Sequence, residues 1–330
     1  MATGRKSSGM GSVGRSHRKG ISLIELAERF PDEAAAEKWF ESLYWPDGEM
    51  CCLRCGSVNA YRVKSGKPMP YRCRDCKRYF SLKTGSAMEA SNLPLRKWAW
   101  AIYLSATSLK GVSAMKLHRD LKISYQAAWF MFHRIREGLA AEAAELDRFA
   151  GDIEVDEGYF GGRRENKPLA IRRTLSGRGP VDMAKVVAVK DRKTKRIKAV
   201  VVDSVDKATV HPLVESSRQK GAKVYTDEAR VYEGLADRES VKHSVGEYVD
   251  GMAHVNGVES FWSMMKRGYH GTFHHVSWKH LQRYVYEFAG RHNIRDMDTI
   301  DQMAHIAAGM VGKRLLFREL TFNEEAEATA

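Results

Sequence analysis

Apolar residues in the first 140 positions recur mostly at helical spacing, with one interruption rich in cysteine and turn residues. Leu23, Leu26, Ala27 and Phe30 predict a short helix within residues 21–30, and a second helix follows over 34–44. The sequence WPDG at 45–48 ends it, and short strands and turns are expected to about residue 85. From 94 to 139 the pattern is helical again, with a break near 122–124.

From residue 151 the spacing changes to one typical of strands. Residues 153–160, 184–190, 196–203 and 223–226 predict four strands rich in Val and Ile, and 241–245 predict a short fifth strand. Helices are predicted over 207–219, 256–268, 277–291 and 300–316. This half of the chain is therefore of the α/β class, with a mixed sheet flanked by helices.

These changes of pattern divide the chain into five segments. They are a basic tail expected to be disordered (1–20), a helical lead-in with a cysteine-rich ribbon (21–90), a helical domain (91–148), the α/β domain (149–298), and a C-terminal helix and tail (299–330). No apolar run approaches the roughly 20 residues that cross a bilayer, and the N-terminus lacks the pattern of a secretory signal. A membrane protein is thus excluded.

The charge of the chain points to an acidic partner. Its 330 residues carry a formal net charge of +13, with 29% charged and 43% hydrophobic residues, which is typical of a globular protein. A basic protein of this kind is suited to nucleic acid, although charge alone does not establish such binding. The segment 161–179, rich in Arg, Lys and Gly, is expected to be a mobile basic loop after the first strand.

Four of the five cysteines are spaced as metal ligands. Cys52 and Cys55 form one pair and Cys73 and Cys76 another, with 17 residues between the pairs. Two such knuckles complete a tetrahedral sulfur site, which suits a structural Zn²⁺ ion. Cys51 is the alternative to Cys52, but the two-residue gap favours Cys52.

The break in the helical domain is compatible with a helix-turn-helix. Residues 111–121 form the predicted first helix, Ile123 and Ser124 the turn, and 125–136 the second helix. Ser124, Tyr125 and Gln126 then lie at the start of the second helix, where they can face a DNA major groove. The alternative is an ordinary helical hairpin with no DNA role.

Three acidic residues occupy positions suited to binding a metal. Asp156 lies in the first predicted strand, Asp227 ends the fourth, and Glu259 lies on the helix 256–268. Carboxylates so placed can converge on a pair of divalent cations, which suits in-line displacement at a phosphodiester. Asn256 and Lys266 share a helix face with Glu259, and Lys266 either contacts a DNA phosphate or is an ordinary surface lysine.

Five segments carry motifs longer than these single residues. They are WPDG at 45–48, VDEGYFGG at 155–162, YTDE at 225–228, HVNGVESFWSMMKRG at 254–268 and GTFHHVSWKHLQRY at 271–284. Together they resemble the motifs of bacterial DDE-type insertion-sequence transposases, in the subgroup with an N-terminal zinc ribbon. The resemblance covers roughly residues 30–295.

This resemblance implies a ribonuclease-H-like catalytic core that depends on Mg²⁺ or Mn²⁺ and that cuts and joins DNA. It implies that Asp156 and Asp227 are the first two metal ligands. The third is Asn256 or Glu259, and we favour Glu259 because a hard cation prefers a carboxylate to an amide. In a two-metal mechanism one ion activates water and later the freed 3′-hydroxyl, while the other stabilises the leaving oxygen.

The expected partner is double-stranded DNA, both as terminal inverted repeats and as target. A homo-oligomer on DNA and a bacterial cytoplasmic, nucleoid-associated location are expected with it. Three other functions stay open at this point: a DNA-binding regulator without catalysis, a nuclease for RNA–DNA hybrids or junctions, and a zinc-ribbon interaction module joined to a structural α/β domain.

Overall fold

The computed structural model describes residues 18–144, 148–162, 165, 167–175, 182–240 and 256–322. Its helices are α1 (Leu23–Arg29), α2 (Glu33–Tyr44), α3 (Leu95–Thr107), α4 (Ala114–Leu121), α5 (Tyr125–Ala144), α6 (Leu169–Thr174), α7 (Lys207–Ser217), α8 (Asn256–Gly268), α9 (Trp278–Asn293), α10 (Thr299–Gly309) and α11 (Phe317–Thr321). Its strands are β1 (Ala60–Arg62), β2 (Tyr71–Cys73), β3 (Tyr79–Phe80), β4 (Ile153–Phe160), β5 (Ala184–Asp191), β6 (Ile197–Val202), β7 (Val224–Thr226) and β8 (Arg238–Ser240).

The cysteine-rich segment folds into a small antiparallel sheet, in the order β1-β2-β3. In β2 the side chains alternate, so that Tyr71 and Cys73 are buried whereas Arg72 is half-buried on the other face. Phe80 of β3 pairs with Tyr71 and is also fully buried. One face of the ribbon therefore joins the protein core.

That core is shared between the ribbon, α1 to α5 and the C-terminal helix α10. Met303, Ile306 and Met310 of the C-terminal segment are fully buried within it. The helices α5 and α10 cross at two glycines, because a Cβ atom on Gly309 would lie 2.3 Å from the carbonyl oxygen of Gly138. This close approach requires glycine and fixes α10 against the helical domain.

The second half of the chain forms a five-stranded mixed sheet in the order β6-β5-β4-β7-β8. β5 is antiparallel to both β4 and β6, whereas β7 is parallel to β4 and to β8. Two separate apolar cores cover its faces: α8 and α9 pack on one face and α7 on the other. The fold is thus of the predicted α/β class, with a mixed sheet between helices.

A buried ion pair joins the helical domain to the sheet domain. The guanidinium Nε of Arg136 on α5 lies 2.8 Å from Oε2 of Glu287 on α9, and both side chains are about 5% exposed. Arg136 also stacks 3.8 Å from the ring centre of Tyr284. Since breaking a buried pair leaves an uncompensated charge, this contact holds the two helices in one arrangement.

Most predicted elements are confirmed, but one is wrong. The helix predicted over 300–316 ends at Gly309, because the chain then pairs with residues 85–87: the amide of Ala87 donates to the carbonyl of Met310, and that of Gly312 to Gly85. The fifth strand is β8, at 238–240, whereas the predicted 241–245 lies outside the described residues. Polar residues form this edge strand, since it needs backbone pairing more than burial.

The other differences are smaller. The basic segment 161–179 contains the short helix α6, and its residues 163, 164, 166 and 176–179 lie outside the described part. Of the basic tail, residues 1–17 lie outside it, while the amide of Lys19 donates to Asp298. Among the described residues, no helix combines the length and apolar character needed to span a membrane.

Candidate active site and metal centre

The four paired cysteines meet at one point of the ribbon. The sulfur atoms of Cys52 and Cys76 lie 3.8 Å apart, as do those of Cys55 and Cys73, and all four lie within 4.8 Å of one another. A tetrahedral zinc site with Zn–S bonds of about 2.3 Å has sulfur–sulfur edges of about 3.8 Å. The spacing therefore fits Zn²⁺ without rearrangement, and Cys51 is not part of the group.

Local backbone geometry produces this arrangement. Gly56 and Lys77 directly follow the second cysteine of each pair, and both have a positive φ angle, 75° and 58°. The reversed turn directs both sulfurs of a pair to one side, as zinc knuckles require. Hydrogen bonds from the amides of Cys76 and Asp75 lower the pKa of the Cys73 thiol to about 7, which favours its thiolate, whereas burial and the three neighbouring cysteines raise the pKa of Cys55.

Asp156 lies on β4, and Asp227 directly follows the neighbouring parallel strand β7. Ile153 and Glu154 of β4 pair with Val224 and Tyr225 of β7. Continuing this register by two residues sets Asp227, the residue after β7, level with Asp156. Both side chains are half-buried.

The two carboxylates interact electrostatically. Burial, the neighbouring Glu157 carboxylate and the Asp227 carboxylate together raise the pKa of Asp156 to about 7. Repulsion of this kind is expected where acidic groups are gathered for a cation, since a bound cation removes it. The raised pKa of Asp156 is therefore compatible with a cation site beside this carboxylate.

Backbone contacts fix the segment that carries Asp227. Its Oδ1 accepts a hydrogen bond from the amide of Ala229 (3.0 Å), and its carbonyl accepts one from the guanidinium of Arg238 (2.8 Å). Tyr232, fully buried on the turn that follows, donates its hydroxyl to the carboxylate of Glu157. Glu157 lies on the opposite face of β4 from Asp156, so this contact ties the Asp227 loop to the strand that carries Asp156.

A buried polar cluster fixes the start of α8 on the sheet. The Glu154 carboxylate accepts hydrogen bonds from the amide of Val258 (3.1 Å) and from Arg192 Nε (3.1 Å). Lys190 Nζ donates to the carbonyl of Gly257 (2.8 Å), and a Cβ atom at Gly257 would lie 2.4 Å from Glu154 Oε2. Because Glu154 and Lys190 are buried, these hydrogen bonds hold the first turn of α8 in a single position against β4 and β5.

Trp262 brings the same helix into contact with Asp156. Its indole Nε1 donates to Asp156 Oδ2 at 3.0 Å, and its ring lies over Gly158, where a Cβ atom would approach within 2.9 Å. Gly158 is therefore the residue that lets the tryptophan lie flat on β4. This hydrogen bond joins Asp156 to α8 at Trp262, which lies one helical turn from Glu259.

Glu259 and Lys266 lie on the exposed side of α8 beside Trp262. They are three residues before it and four after it, and both side chains are exposed. Asn256 is the first residue of α8, and its side chain lies outside the described part. Within the described residues, the cysteines are the one group of three or more possible ligands within 4.8 Å, so Glu259 is not brought that close to Asp156 and Asp227.

The sequence reasoning missed the residues that position this site. Gly158 and Trp262 lie within the sequence motifs, which assign neither of them a role, and Glu154 and Lys190 lie outside these motifs. A signal was present for Glu154: it is two residues before Asp156, on the same face of β4. A charged residue on a strand face that a helix covers needs a partner, which the packing of α8 supplies.

Comparison with known proteins identifies two domains. Residues 148–293 match the ISXO2-like transposase domain, and residues 31–79 match the transposase zinc-ribbon domain. The chain is 30% identical over 252 residues, 72% of its length, to an uncharacterized protein in transposable element ISH50 of Halobacterium salinarum, of which it covers 83%. No solved structure shows a significant match. The predicted resemblance is confirmed, and the chain belongs to the insertion-sequence transposases that combine a zinc ribbon with an ISXO2-like transposase domain.

Proposed function

We propose that this transposase cleaves DNA at the ends of its insertion element and transfers the freed strands into target DNA. Asp156 and Asp227 are the first two ligands for catalytic metal, and Glu259 is the third. The observation that carries the proposal is the register of β4 and β7, which sets two mutually repelling carboxylates side by side. The five-stranded mixed sheet with helices on both faces supports the ribonuclease-H-like core that the resemblance implies.

The donor set suits a hard divalent cation. Mg²⁺ and Mn²⁺ prefer carboxylate oxygens, and when bound to such a site they activate water and stabilise a leaving phosphodiester oxygen. Each oxygen of Asp156 accepts one hydrogen bond, from Trp262 or from the amide of Glu157, and keeps a second lone pair for metal. Glu259 completes the set when the exposed side chain turns toward Asp156, while Asn256 remains the alternative third ligand.

The protein's own groups orient the reaction. Trp262 holds the Asp156 carboxylate in one rotamer, and the Tyr232–Glu157 contact holds the Asp227 loop. Lys266, exposed beside Glu259, neutralises a phosphate of the bound strand. Water and then the 3′-hydroxyl freed by hydrolysis serve as nucleophiles, so that no covalent protein–DNA intermediate is needed.

The pair α4 and α5 is proposed to read the terminal repeats as a helix-turn-helix. Lys122 takes a left-handed conformation between the helices, and the hydroxyls of Ser113 and Ser124 accept hydrogen bonds from the amides of Lys116 and Ala127. Ser124, Tyr125 and Gln126 are exposed at the start of α5, as a recognition helix requires. Terminal repeats occur at both ends of an element, so we expect two or more copies to act together.

The raised pKa of Asp156 leads to a pH prediction. A carboxyl whose pKa rises to about 7 on folding destabilises the metal-free protein as pH rises from about 4 to about 7. Below about pH 7 a proton competes with metal, so affinity for Mn²⁺ should fall by up to about tenfold per pH unit. Titration calorimetry from about pH 5.5 to about pH 8 measures this. An affinity that stays constant across the range would contradict the assignment of Asp156 as a ligand.

The function itself is tested by DNA cleavage. Purified protein should nick a supercoiled plasmid that carries the element's ends in the presence of Mg²⁺ or Mn²⁺, and EDTA should abolish nicking. The nicks should lie at the element ends and leave 3′-hydroxyl groups. Binding without nicking under any metal condition indicates a catalytically inactive DNA-binding protein, and preference for RNA–DNA hybrids indicates a nuclease of another kind.

A further inference from the structure

An arginine-lined cleft lies between α8, the end of α9 and Arg18. Its volume is about 210 Å³, and its polar lining comes mainly from Arg18, Arg291, His292, Arg295 and Ser260. The residues that α8 contributes are Ser260, Phe261 and Met264, which lie on a different side of the helix from Glu259 and Lys266. The cleft therefore borders α8 on the flank away from the proposed catalytic carboxylates.

The guanidinium groups of Arg18 and Arg295 are held mainly by neutral acceptors, whereas Arg291 forms a buried ion pair with Glu287 (3.8 Å). Arg295 Nη1 donates to the carbonyls of His292 (2.5 Å) and Lys195 (3.5 Å), and Arg18 Nη1 donates to the carbonyl of Arg295 (3.4 Å). A carbonyl fixes the direction of a guanidinium but does not cancel its charge. The acid beside Arg295 is Asp296, which is 57% exposed and 3.6 Å away, a weak solvent-screened pair.

A second group of cations extends the cleft. The end of β5 and the turn to β6, residues 190–196, read KDRKTKR. Lys190 and Arg192 lie against Glu154 and the start of α8, and the Asp191 carboxylate accepts hydrogen bonds from the amides of Lys193 and Thr194. Lys193 and Lys195 are exposed on this turn, and the carbonyl of Lys195 is the one that Arg295 and His292 contact. The turn and the cleft thus form one continuous cationic surface.

We propose that this surface, formed by the cleft and the β5–β6 turn, binds phosphodiester groups of double-stranded DNA outside the active site. The guanidinium groups, whose direction is set by backbone carbonyls, can pair with the oxygens of a phosphate. The lysines at the rim add positive charge that attracts DNA of any sequence. Ser260, adjacent in sequence to Glu259, is exposed and can donate its hydroxyl to the same backbone. The DNA at the carboxylates and the DNA at the cleft are then one duplex that crosses the first turns of α8.

This inference rests on the proposed function, but it can be tested without catalysis. We compare the wild-type chain with a cleft variant (Arg18→Gln with Arg295→Gln) and a rim variant (Lys193→Gln with Lys195→Gln). A control variant, Lys207→Gln with Lys220→Gln, removes two exposed lysines on and just after α7, on the opposite face of the sheet. Binding to a labelled duplex of arbitrary sequence is measured by fluorescence anisotropy in EDTA over a range of salt concentrations.

The cleft and rim variants should each lower the slope of log affinity against log salt by about 1.8, because each lost phosphate contact accounts for about 0.9. At 0.1 M salt this weakens binding by roughly 60-fold if the affinity at 1 M salt is unchanged. The control should keep the wild-type slope. A wild-type slope in both test variants overturns the inference.

Two outcomes separate this inference from the proposed function. If the wild-type chain nicks DNA with Mg²⁺ and both test variants bind DNA normally, the surface is wrong and the function stands. If nicking is never seen but the slopes fall as expected, the surface stands and the function is wrong. Thermal denaturation shows whether Arg295→Gln disturbs the fold, and the rim variant, which removes exposed side chains alone, then decides the result.

Discussion

Replacing Asp156 or Asp227 by Ala should abolish metal-dependent cleavage, lowering its rate by about 10³-fold or more. The reason is that either change removes a charged oxygen ligand from a pair that the β4–β7 register sets side by side. DNA binding should persist, because it depends on basic groups elsewhere. The fold should persist too, since burial already disfavours the ionised form of Asp156 and its removal relieves that cost.

The matched control for these variants is Asp203→Asn. Asp203 also directly follows a strand of the same sheet, but β6 is the edge strand farthest from β7, and the side chain is exposed. Rates are measured as the fraction of supercoiled plasmid nicked with time in Mg²⁺. Full activity in either Asp156→Ala or Asp227→Ala removes that residue from the mechanism, whereas a loss in Asp203→Asn shows that the assay reports general damage.

The same assay decides between the two possible third ligands. Glu259→Gln should lower the rate as strongly as Asp227→Ala if the carboxylate binds metal. Asn256→Ala should have a smaller effect in that case, and the reverse order assigns Asn256 instead. In either variant the contacts that hold α8 on the sheet are left intact, because Glu154, Lys190 and Trp262 are unchanged.

The positions of the proposed site residues depend on the register of two strands and on the packing of one helix. Register alone sets Asp156 beside Asp227, since neighbouring residues of paired parallel strands are a fixed distance apart. Glu259 depends on where α8 lies, and this is set by contacts at two points along β4: Glu154 holds the first turn, and Trp262 lies over Asp156 and Gly158. In the proposed mechanism, substitutions at these points should therefore affect catalysis through the position of α8.

The strands that carry the acids could be predicted because their apolar pattern is local. Residues 153–160 form the predicted strand without change, and Asp227 directly follows β7 as expected. The cysteine ligands could be predicted equally well, because two cysteines separated by two residues nearly fix their own geometry. In each case the information lies within a few residues of the chain.

The contacts between distant segments could not be predicted in this way. The hydrogen bond between Glu154 and Val258 joins residues 104 positions apart, and no periodicity in the sequence predicts it. The early end of α10 depends on pairing with residues 85–87, and β8 depends on hydrogen bonds to the end of β7. Tertiary contacts override local pattern at these positions.

Replacing Cys52 or Cys73 by Ser should remove zinc and destabilise the chain by more than about 4 kcal/mol, the range expected for loss of a metal site. The effect is large because both cysteines are buried in the core that the ribbon shares with α1 to α5 and α10. Zinc content by mass spectrometry and the free energy of unfolding by urea denaturation measure it.

Cys51→Ser supplies the matched control, because it removes the neighbouring thiol and leaves the four-sulfur group intact. Cys51 contacts Trp45 through its backbone carbonyl, which the substitution keeps. This variant should bind one zinc ion per chain with wild-type stability. If Cys51→Ser loses zinc and Cys52→Ser retains it, the ligand set is shifted by one residue and the first knuckle is assigned wrongly. If neither loses it, the sulfurs do not hold the metal, and the ribbon is stabilised by its apolar face alone.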